Sequence, residues 1–331
     1  MGAGAIGTEA RAGVLPTTPE TEEHVDRERT SRMDRWVGLG AATALALGTG
    51  FLAAWLMPRG PATTAEAIGW LVAGLLLGLV MGAISGTRWS ILLGAVAFTA
   101  AFELGRAGTY GPTVDAVQLG SIYGIIAFVV GRLLTYTLAL LPLALGGLVG
   151  VAIAARRHRL GATRPGVLGW VGVLVLSVCV VGLGLLFLRP AGTPAILGAD
   201  GEPVPGSIAE LTSVRLGGHE QALLIRGRDA AAPVFLHLAG GPGGTDLGAL
   251  RGDTSLEQDF VVETWDQRGT GKSYDALDPT DTLTLEQMVA DTIELTEYLR
   301  ERFDEERIYL HGNSWGSILG VLAVDARPDL Y

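Results

Sequence analysis

Between Trp36 and Met57 the chain runs WVGLGAATALALGTGFLAAWLM, 22 residues without one charged side chain. A helix rising about 1.5 Å per residue crosses a bilayer's hydrocarbon core in about 20 such residues. The run is therefore expected to be a membrane span. Ala67–Ser85 and Gly166–Leu188 repeat the pattern, and Trp89–Leu104 is a shorter version with Glu103 near its end. Val117–Ala155 is ambiguous, because its 39 largely apolar residues include Arg132 and Pro142. It fits one span preceded by a re-entrant or interfacial helix, or two tightly joined spans.

Charge asymmetry chooses between these readings. Basic residues collect on the cytoplasmic side of spans. Here the clusters are Arg27, Arg29, Arg32 and Arg35 before the first run and Arg156, Arg157, Arg159 and Arg164 before the last. Both are cytoplasmic only if an even number of crossings separates them. That favours five spans in all, a multi-pass cell-membrane protein with the lipid bilayer as partner, and everything after Leu188 outside the cytoplasm; a sixth crossing would invert the sidedness. Residues 1–33 are polar, lack a hydrophobic period, and read as a flexible cytoplasmic tail too polar for a signal peptide. The membrane region is expected over 34–190.

The remainder differs in kind. From Ala191 onward lie 24 of the 34 acidic residues but only 10 of the 24 basic ones. This acidic surface repels phosphate backbones, so nucleic acid is not an expected partner. Cys179, the single cysteine, sits in an apolar run, which removes disulfides, zinc clusters and a cysteine nucleophile from consideration. No cluster implies a metal or organic cofactor. SVRLGG and QALLIRG read as two strands about a turn at Gly217 and Gly218, and PVFLHL, FVVETW and RIYLH as further strands. Thr245–Gln258 should contain a helix. A stronger helix begins after Thr284, with Gln287 completing a capping box and Leu285, Met288, Val289, Ile293, Leu299 and Phe303 on one face. Such alternation predicts a mostly parallel, doubly wound sheet over 191–331, covered on both faces.

Three stretches carry chemistry. RGTGKS, Arg268–Ser273, looks like the end of a phosphate loop, but Asp266 stands where that loop needs its first glycine, so no nucleotide is expected. GNSWG, Gly312–Gly316, fits G-x-S-x-G, the sharp strand-to-helix turn that exposes a strained nucleophilic serine. LAGGPGG, Leu238–Gly244, lets backbone N–H groups face a developing oxyanion, with Pro242 stiffening the loop.

In this order AGGPG, DQRGTGKS and GNSWG resemble the prolyl aminopeptidase (proline iminopeptidase) family of α/β-hydrolases over roughly residues 207–331. The resemblance implies Ser314 as nucleophile, with an oxyanion hole from the Trp315 N–H and that of Gly240 or Gly241. Asp266 and Arg268 would brace the surrounding loops, with Gly312, Gly316 and Pro242 in supporting places. A peptide or small amide or ester is the implied substrate. One departure stands out: the histidine opening the family's loop is Ala239 here, with His237 two residues earlier. His237 and His311 read as strand residues, His219 as a turn residue, and His24 and His158 as tail and loop residues.

The triad acid and base are absent. An α/β-hydrolase needs an acid and then a histidine after its serine, yet only Asp325 and Asp329, and no histidine, follow Ser314. The expected fold is thus an α-helical multi-pass membrane region followed by an incomplete α/β-hydrolase fold lacking its C-terminal strands and cap. Either a partial product or a degenerate pseudoenzyme accounts for this, and the 331-residue chain is expected to be inactive. The alternative function is a membrane transporter or sensor carrying a catalytically dead hydrolase-like binding module. Glu103, Arg106 and Arg132 are its candidate charges, although their positions suit snorkelling to the interface.

Overall fold

A computed structural model describes residues 19–57, 62–107, 119–157, 166–277 and 280–331. It divides into two compact units, the first ending at Leu188 and the second spanning Arg189–Tyr331. His158, Arg159, Arg164 and residues 1–18 lie outside the described residues.

Five helices form the first unit: α1 (Pro19–Leu56), α2 (Thr64–Ser85), α3 (Trp89–Arg106), α4 (Ile122–Arg156) and α5 (Val167–Leu188). All five are long and apolar enough to cross a membrane. Between Ile122 and Arg156 the ambiguity resolves into one helix that continues through Pro142. The segment expected to be a flexible tail is helical from Pro19. Extending a helix already nucleated by an apolar span adds one hydrogen bond per residue fixed, so polar composition alone does not end it.

Small residues let the backbones of these helices approach closely. On α2, a Cβ at Gly78 would stand 1.9 Å from the Leu143 carbonyl oxygen; on α4, one at Gly146 would stand 2.1 Å from that of Leu75. Glu103 and Arg132 do not snorkel. Arg132 Nε and Nη2 donate to the two Glu103 oxygens at 2.6 and 3.1 Å, and the Tyr136 hydroxyl donates to the same carboxylate. Arg106 is buried, donating to the Met57 carbonyl at 3.4 Å. The Glu103 carboxylate and the Arg132 guanidinium thus satisfy each other between α3 and α4.

In the second unit β1 (Ile208–Leu216) and β2 (His219–Gly227) form a hairpin closed by Gly217 and Gly218, both at positive φ as a two-residue primed turn requires. Then follow β3 (Val234–Leu238), α6 (Leu247–Gly252), β4 (Val261–Trp265), α7 (Leu285–Phe303), β5 (Tyr309–Gly312) and α8 (Trp315–Ala326). Sheet order is β1-β2-β4-β3-β5. The sheet is mixed rather than mostly parallel: β3 pairs in parallel with β4 and β5, whereas β2 pairs antiparallel with both β1 and β4. A two-glycine hairpin allows only antiparallel return, and the parallel pairs begin where helical crossovers do.

Helix α7 also differs from its apolar reading. Its buried positions are Met288, Asp291, Thr292, Leu295, Thr296 and Leu299, while Leu285 is exposed. Thr292 and Thr296 turn their hydroxyls back to the Met288 and Thr292 carbonyls at 2.8 Å, which lets polar side chains face the core. Thr284 caps the helix, accepting from the Gln287 N–H at 3.2 Å; the Gln287 side chain bonds to Asp291 instead of closing the box.

Candidate active site

β5 ends at Gly312 and α8 begins at Trp315, so two residues make the whole turn. Ser314 takes the strain, at φ 54° and ψ −114°, a conformation that costs a side-chain-bearing residue of order 1–3 kcal/mol. The flanking glycines are a steric necessity. A Cβ at Gly312 would lie 2.2 Å from the Gly316 carbonyl oxygen, and one at Gly316 would lie 2.1 Å from that of Leu238. Ser314 is exposed and its hydroxyl makes no capping bond to α8. Trp315 opens the helix, so its N–H is one of the first-turn donors without an intrahelical acceptor.

The loop after β3 comes up beside this turn. A Cβ at Gly240 would stand 3.1 Å from the Asn313 carbonyl oxygen and 3.4 Å from Ser314 Cβ, and the Asn313 N–H donates to the Leu238 carbonyl at 3.2 Å. The Gly241–Pro242 peptide is cis. The structure therefore brings Ser314, Trp315 and Gly240 together, with Gly312 and Gly316 making the turn possible.

Gln267, which the motif reading passed over, ties the two loops. Its side-chain N–H donates to the Ala239 carbonyl at 3.1 Å and its oxygen accepts from Trp315 Nε1 at 3.0 Å. Asp266 holds its own loop through the Lys272 N–H at 2.7 Å. Burial pushes its carboxyl above the usual range, with Thr245 and Lys272 opposing the shift. Arg268 points the other way, making a bidentate pair with Asp291 at 2.8 and 3.0 Å. Both side chains of that pair are fully buried. Asp266 thus holds a backbone N–H of its own loop, whereas Arg268 is held by the Asp291 carboxylate, a partner that the sequence reading missed.

The two strand histidines are joined. His237 Nδ1 lies 2.8 Å from His311 Nδ1, and His237 Nε2 lies 2.9 Å from Asp246 Oδ2. Beyond Ser314, Asp329 is engaged by Arg327 at 2.9 and 2.8 Å. Among the described residues no group of three or more His, Cys, Asp or Glu side chains is arranged to hold a metal ion.

Residues 254–331 match the family described as serine aminopeptidase, S33. The "Probable aminopeptidase YbaC" of Bacillus subtilis is 40% identical over 130 residues, which are 39% of this chain and 41% of the relative. The "Putative proline iminopeptidase" of Mycoplasma pneumoniae is 38% identical over 96 residues, 29% of each chain. These matches support an α/β-hydrolase family. A proline iminopeptidase-related protein of Thermus thermophilus, known from its crystal structure, is 26% identical with a TM-score of 0.33, over 37% of this chain and 42% of that one. The chain thus spans less than half the length of each of these relatives.

Proposed function

We propose that the chain is a membrane-anchored serine hydrolase of the aminopeptidase kind, with Ser314 as its nucleophile and Arg189–Tyr331 carrying part of the active site. The observation behind this reading is the strained, exposed Ser314 between two glycines that cannot hold a side chain, with Gly240 against it. In the first step Ser314 Oγ attacks the substrate carbonyl carbon and the carbonyl π electrons move to oxygen. The N–H groups of Trp315 and of Gly240 or Gly241 then donate to that oxyanion, a contribution worth about 3 kcal/mol per donor in comparable sites. The serine proton passes to a base, and no histidine follows Ser314 in the 331 residues. By themselves these residues are therefore proposed to lack turnover. The five apolar helices serve as the anchor, with the hydrolase unit on the extracytoplasmic side.

Treating native membranes with a fluorophosphonate tests the reading. The expected product is a Ser314-modified peptide that disappears in Ser314→Ala. Failure to modify Ser314 in native membranes would overturn the hydrolase assignment. Detectable Ser314-dependent hydrolysis by the purified 331-residue chain would refute only the proposed inactivity.

A further inference from the structure

Asp246, His237 and His311 come from three elements and form one hydrogen-bonded chain. His237 lies on β3 just before the Gly240 loop, and Asp246 stands just after that loop, where α6 begins. Their 2.9 Å contact closes the loop at its base. His311 lies on β5 three residues before Ser314, and it is the direct register partner of His237 in the parallel β3–β5 pair. Their 2.8 Å contact therefore ties the strand that feeds the loop to the strand that feeds the serine turn.

The proton count makes this chain directional. An ionised Asp246 only accepts, so His237 Nε2 carries a hydrogen toward it. A neutral His237 with its hydrogen on Nε2 has a bare Nδ1, so in the Nδ1 to Nδ1 contact His311 is the donor and His237 the acceptor. A neutral carbon side chain at 237 would break both links at once. Position 239 cannot take over the task, because the Ala239 side chain is fully buried and its carbonyl is already held by Gln267.

We propose that Asp246, His237 and His311 are positioning residues: a latch that holds the Gly240 loop against the Ser314 turn and so sets the oxyanion donors. The latch rests on the hydrolase reading for its purpose but not for its existence, and the two are separable by experiment. In the full chain, hydrogen exchange of a peptide covering 239–247 reports loop closure without any catalysis. Asp246→Ala, a change at a partly exposed site that leaves the strands intact, is expected to speed that exchange about tenfold, the scale set by one lost charge-assisted hydrogen bond. Peptides from the β1–β2 hairpin should be unchanged. Asp246→Asn keeps an acceptor oxygen and should retain slow exchange, His237→Gln keeps the donor at the place of Nε2 but not the His311 link and should fall between, and His237→Phe, which breaks both links, should exchange fastest. In native membranes the fluorophosphonate rate constant at Ser314 should fall in parallel for Asp246→Ala, with its half-saturating concentration changed less than about twofold. Unaltered exchange at 239–247 in Asp246→Ala would overturn the latch. Faster exchange with no Ser314 labelling even in the wild type would keep the latch and sink the hydrolase reading.

Discussion

Glu263 offers a quantitative test of how the second unit is built. It sits mid-strand on β4, fully buried, with Ile225 and Leu236 as its register partners on either side. Neither carboxyl oxygen has a hydrogen-bond partner. Burial pushes its carboxyl well above the usual range; Arg302 and Glu210 act on it with opposite signs and are paired with each other at 2.6 Å. Below the unfolded value near 4.5, both states hold the proton and the linkage is silent. As pH rises past that value the unfolded chain releases its proton while the folded chain keeps it. Stability therefore falls by about 1.4 kcal/mol per pH unit until the raised folded value is reached. Glu263→Gln removes this slope but keeps a buried amide without partners. Glu263→Met removes both the slope and the unsatisfied group, a further gain of about 1–3 kcal/mol. Hydrogen exchange of β4 and α7 peptides in the full chain between about pH 4 and pH 8, corrected for intrinsic rates, separates the two contributions. Equal slopes in wild type and Glu263→Gln would show that Glu263 does not keep its proton in the folded state and would refute the reasoning.

Three other outcomes follow from the same geometry. Ser314→Gly releases the strained turn and should stabilise the second unit by about 1 kcal/mol while abolishing fluorophosphonate labelling, read by exchange protection of β5 and α8. Gly316→Ala drives a Cβ to 2.1 Å from the Leu238 carbonyl oxygen, so α8 must move off β3 at a cost of about 3 kcal/mol, seen as loss of protection in both elements. Asp291→Asn leaves the Arg268 guanidinium buried without its counter-charge and should cost about 3 kcal/mol, with α7 and the hairpin end at Leu216 exchanging together.

What could be read from sequence was whatever one local segment dictates. The turn around Ser314 was legible because its steric demand falls on residues two before and two after, and the β1–β2 hairpin because Gly217 and Gly218 are adjacent. The apolar helices announced themselves by length. Pairings across long stretches of chain were not legible. Arg132 meets Glu103 only once α3 and α4 pack, and His237 meets His311 only once the β3–β5 register is set. Apolar periodicity found Met288, Val289, Leu299 and Phe303 on the core side of α7 but missed the polar residues of that face, for a related reason. A count of apolar residues turns Asp291 outward, whereas a buried Arg268 arriving from another loop draws it inward.

This division has a physical basis. Apolar burial stabilises a fold without fixing direction, so it can assemble the sheet and α7 while leaving the loops between them free to shift. The candidate site depends on those loops, since an oxyanion donor displaced by about 1 Å loses much of its effect. Directional bonds from polar side chains supply the missing constraint. Gln267 binds the Gly240 loop to Trp315, Asp266 fixes the turn at Lys272, and Arg268 with Asp291 locks that stretch to α7. The stretch that superficially imitates a phosphate loop is thus led by a row of three consecutive side chains, each fastening a different neighbour. Its letters spell a set of fastenings among the loops beside Ser314.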